Sequence, residues 1–125
     1  MRVQPHILVA DDDADIREMV QILLQEAGFR VSTADTTGGV LQLVATERFD
    51  AMLFDYWMPQ TTGIELCRRI RTFDKSTPIL IFSGAVNKSD TEAATLAGAQ
   101  GFVEKPFRSS DLICALRSVL ETADG

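Results

Sequence analysis

Four aspartates that directly follow apolar runs are the first candidates for chemistry in this chain. One run, at 7–10, ends on Asp11, Asp12 and Asp13, and another ends on Asp55. Clustered carboxylates repel one another, and each disfavours ionisation of its neighbour. A hard divalent cation removes that repulsion, and Mg²⁺ prefers oxygen ligands of this kind. The acids therefore predict a site for Mg²⁺ (or Mn²⁺), provided that the fold brings them together.

A hydroxyl and an ammonium group follow two further apolar runs in the same way. Ser83 ends the run at 79–82, and Lys105 follows the run at 101–103. A metal ion together with a lysine commonly neutralises a transferring phosphoryl group, and a hydroxyl can bind one of its oxygens. An aspartate side chain can itself accept the group as an aspartyl phosphate. These residue types together indicate phosphoryl transfer to a carboxylate.

The candidate residues meet only if the runs are parallel strands of one sheet. Short apolar runs alternate with amphipathic stretches, and the runs lie at 7–10, 30–34, 51–54, 79–82 and 101–103. Continuous apolarity is typical of strands that are covered on both faces. The alternation predicts an α/β fold, a doubly wound five-stranded parallel sheet with helices on both faces. In such sheets ligands bind beyond the carboxyl ends of the strands, where the candidates stand.

Helical periodicity predicts a helix after each strand. Asp13 is a suitable N-cap for the first helix, and Gly28 is suited to end it. The fourth helix is expected around 90–97 and is alanine-rich and only weakly amphipathic. For the second helix, Thr36 or Thr37 is the expected N-cap. Leu66 and Ile70 mark the third helix, and Ser109 or Ser110 lies near the start of the fifth.

Composition limits the class of protein. The chain has 125 residues, which is typical of one domain, and 46% of them are hydrophobic. We expect a single domain over 1–125, with its core at about 6–121 and no output domain in this chain. The net charge of −6 argues against direct binding to nucleic acid or an anionic membrane. Nothing resembles a signal peptide or a membrane span, so we expect a cytoplasmic protein.

The two cysteines are not arranged for metal binding or for a redox motif. Cys67 and Cys114 are far apart and form no C-x-x-C pair. Both fall among apolar residues in helical stretches. They predict free, buried thiols in a reducing compartment.

Over most of its length, from about Ile7 to Leu120, the chain resembles a response-regulator receiver domain of two-component signal transduction. The resemblance rests on four segments in the family's order and spacing, which are ILVADDD at 7–13, FDYWMPQTTG at 54–63, Ser83–Gly84 and FVEKPF at 102–107. It implies a flavodoxin-like (βα)5 receiver fold with strand order 2-1-3-4-5.

The resemblance implies roles for the acids. Asp55 corresponds to the phosphoacceptor, which is also a metal ligand. Asp12 corresponds to a direct Mg²⁺ ligand, and Asp11 to the acid that usually holds the metal through water. The backbone carbonyl of Trp57 corresponds to a further metal ligand.

Other implied roles concern the switch. Ser83 corresponds to the switch hydroxyl, Lys105 to the lysine that contacts the phosphoryl group, and Phe102 to the switch aromatic. The bond Lys105–Pro106 corresponds to a peptide bond that is usually cis.

The implied function is a phosphorelay switch that takes its phosphoryl group from a histidine kinase or a histidine phosphotransfer protein. Phosphorylation would change the surface of the fourth helix, the fifth strand and the fifth helix, and so regulate a downstream protein or a missing output domain. A phosphorylation-dependent homodimer stays open. The domain is not expected to be an enzyme, apart from Mg²⁺-dependent catalysis of its own phosphorylation and dephosphorylation.

Three other functions stay open. A haloacid-dehalogenase-like phosphatase would use Asp11 and Asp13 as its D-x-D pair, but Ala14 stands where Thr or Val is expected. A nucleotide- or flavin-binding module of the same architecture would need glycines after the first strand, and that loop has none. A receiver-like docking adaptor that works without phosphorylation would have no need of the site residues, all of which are present.

Overall fold

The apolar runs form one parallel sheet in the computed structural model, which describes residues 4–84, 87–105 and 108–124, with side chains described up to 121. The strands are β1 (His6–Ala10), β2 (Arg30–Ala34), β3 (Ala51–Asp55), β4 (Trp57–Met58), β5 (Thr61–Thr62), β6 (Ile79–Ser83) and β7 (Gly101–Glu104). The helices are α1 (Ala14–Glu26), α2 (Thr37–Thr46), α3 (Gly63–Ile70), α4 (Lys88–Leu96) and α5 (Ser109–Asp124).

The main sheet has the order β2-β1-β3-β6-β7, while β4 and β5 form a separate antiparallel ribbon. Without the ribbon, this is the predicted order 2-1-3-4-5, so the predicted fold class is confirmed. The three central strands, β1, β3 and β6, are buried along their whole length. Their continuous apolarity follows from cover on both faces of the sheet.

Two hydrophobic cores lie on opposite faces of the sheet, because successive strand side chains point to opposite sides. One core joins Leu8, Met52 and Ile81 to helices α2, α3 and α4. The other joins Val9 and Leu53 to helices α1 and α5. The helices thereby hold the strands side by side, with all five carboxyl ends at one edge.

The helix ends follow from local side chains. Asp13 caps α1 by accepting hydrogen bonds from the backbone N–H groups of Asp15 and Ile16. Gly28, with a φ of +97°, follows the end of that helix, as predicted. Helix α4 begins at Lys88, earlier than the predicted 90–97, because the Asn87 side chain caps it. The prediction missed that cap.

The prediction for the cysteines was wrong in part. Both thiols are free, and Cys67 is buried as expected, but Cys114 is exposed. Leu112 and Leu116 bury one side of α5, and Cys114, two residues from each, lies on the opposite side. Among the described residues, no helix is both long and apolar enough to cross a membrane.

Candidate functional site

The acidic residues meet where β1 and β3 end. These strands pair in parallel with Ala10 opposite Phe54, so Asp11 and Asp55 emerge side by side. Both are buried, whereas Asp12 is exposed. One carboxylate oxygen from each of the three residues lies within 4.8 Å of the others. The three carboxylates therefore converge, as expected from the parallel sheet.

Asp11 is the least solvated of these acids. Its Oδ1 accepts a hydrogen bond from the Asp13 backbone N–H at 2.9 Å, while its buried Oδ2 has no hydrogen-bond partner among the described residues. Burial raises the pKa of Asp11 to about 6. The Asp13 hydrogen bond opposes this shift, the Asp55 charge adds to it, and the Lys105 charge opposes it. A cation near Oδ2 would stabilise the ionised form.

Lys105 supplies a positive charge to the site. Its Nζ donates a hydrogen bond to Asp55 Oδ1 at 3.1 Å and lies 3.5 Å from Asp11 Oδ2. The same Nζ lies 4.5 Å from the centroid of the Phe82 ring, a cation–π distance. The Lys105 backbone N–H donates to the Ser83 carbonyl at 2.7 Å. The lysine is thus held between the ends of β3 and β6.

Ser83 lies at the same edge of the sheet. In the pairing of β3 with β6, Asp55 stands opposite Phe82, and Ser83 is the next residue. Ser83 is buried and pairs with Glu104 of β7. The predicted hydroxyl therefore stands at the end of the strand beside the one that carries Asp55.

A glycine contact shapes the segment that follows Asp55. A Cβ on Gly63 would lie 2.5 Å from the Asp55 carbonyl oxygen, so a larger residue there would displace the end of β3. The Gly63 backbone N–H donates to the Tyr56 carbonyl at 2.6 Å. The sequence motif includes this glycine, but the sequence alone did not indicate its contact with Asp55.

The donor set suits Mg²⁺. Three carboxylates converge, one buried oxygen has no hydrogen-bond partner in the described part of the chain, and the ligands are all hard oxygens. Asp11, Asp12 and Asp55 are the described side chains that could hold the ion. The role of the Trp57 carbonyl stays a prediction, and the Trp57 side chain is 68% exposed. The predicted cis bond involves Pro106, which lies outside the described residues.

Comparison with known proteins agrees with this geometry. The family model described as "Response regulator receiver domain" matches residues 7–117. The chain belongs to the response regulator receiver domain family. This confirms the resemblance found in the sequence and makes the chain a receiver domain of two-component systems.

Named relatives of this receiver domain are bacterial regulators. Response regulator MprA of Mycolicibacterium vanbaalenii is 35% identical over 114 residues, which cover 91% of this chain and 49% of that protein. MprA of Mycobacterium ulcerans is 34% identical over the same length. The chain therefore spans about half the length of these relatives.

Solved structures share the fold of this receiver domain. The chemotaxis response regulator CheY4 of Vibrio cholerae is 33% identical with a TM-score of 0.88, covering 93% of this chain and 98% of CheY4. A CheY-like receiver domain protein of Methanospirillum hungatei is 26% identical with a TM-score of 0.91, and the match covers 97% of each chain.

The receiver-domain structure also shows contacts that the sequence analysis missed. Arg17 of α1 donates from Nη1 to the Asp11 carbonyl at 2.9 Å, which holds the loop that carries the acids. The Tyr56 hydroxyl donates to Asp90 Oδ1 at 3.4 Å. The helical pattern put Arg17 on α1, but no sequence signal indicated which way its side chain turns.

Proposed function

We propose that this receiver domain is a phosphorelay switch and that Asp55 accepts the phosphoryl group. The observation that carries the proposal is the Lys105 ammonium, 3.1 Å from Asp55 Oδ1 and 3.5 Å from Asp11 Oδ2. A cation held beside a carboxylate nucleophile can pair with the charge that arrives on a phosphoryl group. Asp55 itself stands at the end of a buried central strand, which fixes its position.

The proposed reaction is transfer of a phosphoryl group to the Asp55 carboxylate. An Asp55 oxygen attacks the phosphorus, and a mixed anhydride of carboxylic and phosphoric acid forms. The bond from phosphorus to the donor nitrogen or oxygen breaks, and its electron pair leaves with the donor. Lys105 then exchanges its bond to Asp55 Oδ1 for one to a phosphoryl oxygen.

A divalent cation would assist this chemistry. Mg²⁺ held by Asp11, Asp12 and Asp55, with the Trp57 carbonyl as a further proposed ligand, would neutralise charge on the transferring phosphoryl group. Asp11 must be ionised to bind a cation, so its raised pKa predicts weaker binding at acid pH. Arg17 holds the Asp11 backbone in place through its bond to the carbonyl.

Ser83 and Phe102 would transmit the change at Asp55 to the surface of the domain. The Ser83 hydroxyl would bind a phosphoryl oxygen, and Phe102 of β7 would turn into the space that opens. Phe102 is half-buried and packs against the core that includes α4, so its movement would alter the surface formed by α4, β7 and α5. This is a two-state element biased by a local change of charge.

We further propose that the phosphodonor protein, a histidine kinase or histidine phosphotransfer protein, docks on a groove between α1 and α5. The groove has a volume of about 650 Å³, and its apolar floor includes Met19 and Ile22, which are 50% and 48% exposed. Asp15, Glu18 and Glu26 line it as well, which favours a partner with basic groups. Helix α1 begins directly after the loop that carries Asp11 and Asp12, so a partner in the groove would lie next to that loop. The regulated target is either a separate protein or an output domain of a longer chain.

The first test is incubation with acetyl phosphate, with and without Mg²⁺, followed by intact mass measurement. Wild-type protein should gain one phosphoryl group only with Mg²⁺, and Asp55→Asn should gain none. A gain in Asp55→Asn would overturn the assignment of the acceptor. No gain in wild-type protein under any condition would leave the phosphorylation-independent adaptor as the better function.

The docking groove is tested separately with Met19→Lys. Labelling by acetyl phosphate should be unchanged, because Met19 lies outside the acidic site. Transfer from a phosphorylated histidine phosphotransfer protein should slow, because the lysine charge would disrupt the apolar floor and repel the basic groups of the partner. Equal rates of transfer to wild-type and variant protein would exclude this groove as the docking surface.

A further inference from the structure

Tyr56 connects the acceptor strand to helix α4. Its backbone N–H donates to the Phe82 carbonyl at 2.8 Å, which extends the pairing of β3 with β6 by one residue. Its own carbonyl accepts from Gly63. The backbone next to Asp55 is therefore held from two sides, and the orientation of the Tyr56 side chain depends on the end of β3.

The Tyr56 hydroxyl reaches the first turn of α4. It donates to Asp90 Oδ1 at 3.4 Å across 34 residues of sequence. The Asp90 backbone N–H is in turn held by the capping side chain of Asn87 at 2.8 Å. Asp90 is half-buried, so water competes with this bond less than at a fully exposed site.

The Tyr56 ring is also in contact with the proposed switch aromatic. The ring centroids of Tyr56 and Phe102 are 6.5 Å apart, with the planes tilted by 43°. The Tyr56 ring also meets the Trp57 ring edge-on, with the centroids 5.0 Å apart. Movement of Phe102 would therefore change the packing around the Tyr56 ring, since both rings pack against the same core.

We propose that Tyr56 is a positioning residue that couples Asp55 to α4. In the arrangement in which Lys105 pairs with the Asp55 carboxylate, the hydroxyl bond to Asp90 holds the first turn of α4 in place. The activated arrangement, in which Phe102 turns inward, breaks or strains that bond. The bond between Tyr56 and Asp90 therefore stabilises the inactive arrangement, and phosphorylation of Asp55 must overcome that stabilisation to activate the domain. The inference rests on the proposed function of Asp55.

The chain offers variants that separate the hydroxyl from the ring. Tyr56→Phe removes only the hydroxyl, and Asp90→Ala removes its acceptor. Asp90→Asn keeps an oxygen that can accept from the phenol, and so serves as the rescuing variant. Asp111→Ala is the matched control, since Asp111 is an exposed acid in the first turn of α5.

The measurement is binding of beryllofluoride, a stable mimic of the phosphoryl group, in the presence of Mg²⁺. Trp57 is the one tryptophan of the chain and packs on Tyr56, so its fluorescence can report the binding. Tyr56→Phe and Asp90→Ala should each bind beryllofluoride about threefold to tenfold more tightly, as expected for loss of one hydrogen bond. The double variant should match either single variant, because one bond is lost in each case.

Hydrogen exchange gives a second measurement that does not depend on phosphorylation. Amides at 88–92 should exchange faster in Tyr56→Phe and Asp90→Ala than in wild-type protein, and Asp90→Asn and Asp111→Ala should resemble wild-type protein. Equal exchange and equal beryllofluoride affinity in Tyr56→Phe and wild-type protein would overturn the inference. So would an Asp90→Asn variant that behaves like Asp90→Ala.

Acetyl phosphate labelling separates the two proposals. If wild-type protein is labelled on Asp55 while Tyr56→Phe behaves as wild-type protein in both measurements, only the coupling role fails. If wild-type protein is never labelled, the proposed function fails, and the exchange comparison still decides whether the Tyr56–Asp90 bond holds α4.

Discussion

Lys105 Nζ donates a hydrogen bond to Asp55 Oδ1 at 3.1 Å, so the proposed acceptor is already paired with a cation. The Lys105 side chain is 20% exposed, and the Asp55 side chain is 11% exposed. Charges in such a setting are screened less than at the surface. The lysine therefore has two opposite effects, since it repels a metal ion but supports an incoming phosphoryl group.

Lys105→Met should separate those two effects. Mg²⁺ should bind about tenfold more tightly, because a positive charge next to its carboxylate ligands is gone. Labelling by acetyl phosphate at saturating Mg²⁺ should nevertheless slow at least about tenfold, because the phosphoryl charge loses its partner. Metal titration measures the Mg²⁺ affinity, and the time course of labelling measures the rate of phosphorylation. Lys75→Met controls for net charge, because Lys75 is exposed. Weaker Mg²⁺ binding in Lys105→Met would contradict the prediction.

Stability of the metal-free protein should depend on the titration of Asp11. A carboxyl group whose pKa is about 6 in the folded chain and 3.8 as its ordinary value binds protons more tightly when folded. Its stabilising contribution is full below about pH 4 and is lost as pH rises through about 6. We expect the free energy of unfolding to fall by about 3 kcal/mol across that window.

Urea unfolding in EDTA at several pH values measures this fall. Asp11→Asn has no carboxyl group at this position, so it should show a smaller fall and should exceed wild-type stability at pH 7.5. Added Mg²⁺ should restore the stability of wild-type protein near neutral pH. The same pH dependence in wild-type protein and Asp11→Asn would assign the effect to other groups.

Gly63→Ala should disturb the acceptor through the backbone. The new Cβ would lie 2.5 Å from the Asp55 carbonyl oxygen, and that backbone atom cannot move without shifting β3. We expect a loss of about 1–3 kcal/mol in unfolding free energy and slower labelling of Asp55. Gly38→Ala is the control, since its Cβ would lie more than 4 Å from the described residues outside helix α2, and that helix should tolerate or favour alanine. Unchanged stability and labelling in Gly63→Ala would show that the contact relaxes freely.

Gly98 and Gly28 form a matched pair for separating backbone strain from steric overlap. Both have positive φ, +103° and +97°. A Cβ on Gly98 would lie 2.8 Å from Arg71 Cγ, whereas a Cβ on Gly28 would have no atom of the described residues within 4 Å, apart from its two chain neighbours. Gly28→Ala should cost about 1 kcal/mol of stability from the backbone alone.

Gly98→Ala should lower the free energy of unfolding by about 1–3 kcal/mol more than Gly28→Ala does. The Arg71 guanidinium donates to the Gly98 carbonyl from Nε and Nη2, so displacing Arg71 also weakens those bonds. Urea midpoints of the two variants measure the difference. Equal losses in both would mean that Arg71 moves aside without cost.

Much of the fold and of the site was predictable from the sequence. Strand positions follow from short apolar runs, and Asp13 and Gly28 mark the ends of α1 through local chemistry. The meeting of Asp11 with Asp55 follows from one rule, that parallel strands bring their carboxyl ends to the same edge. The burial pattern of α5 could also have been read from the sequence, because Cys114 lies half a turn from the leucines that face the core.

Other features required the tertiary structure. They include the choice of carboxylate oxygen that Lys105 binds and the close approach of Gly63 to the Asp55 backbone. They also include the finding that Asp11 Oδ2 has no hydrogen-bond partner within the described ranges. Each of these depends on ångström distances between separate elements. Tyr56 and Asp90 are 34 residues apart, and no periodicity links them. The sequence by itself determined the five strands of the main sheet, their alternation with helices and the residue types at the strand ends, because these depend on local propensity and burial. Only the tertiary structure decided the contacts among them, because each depends on how separate strands, helices and loops are positioned relative to one another.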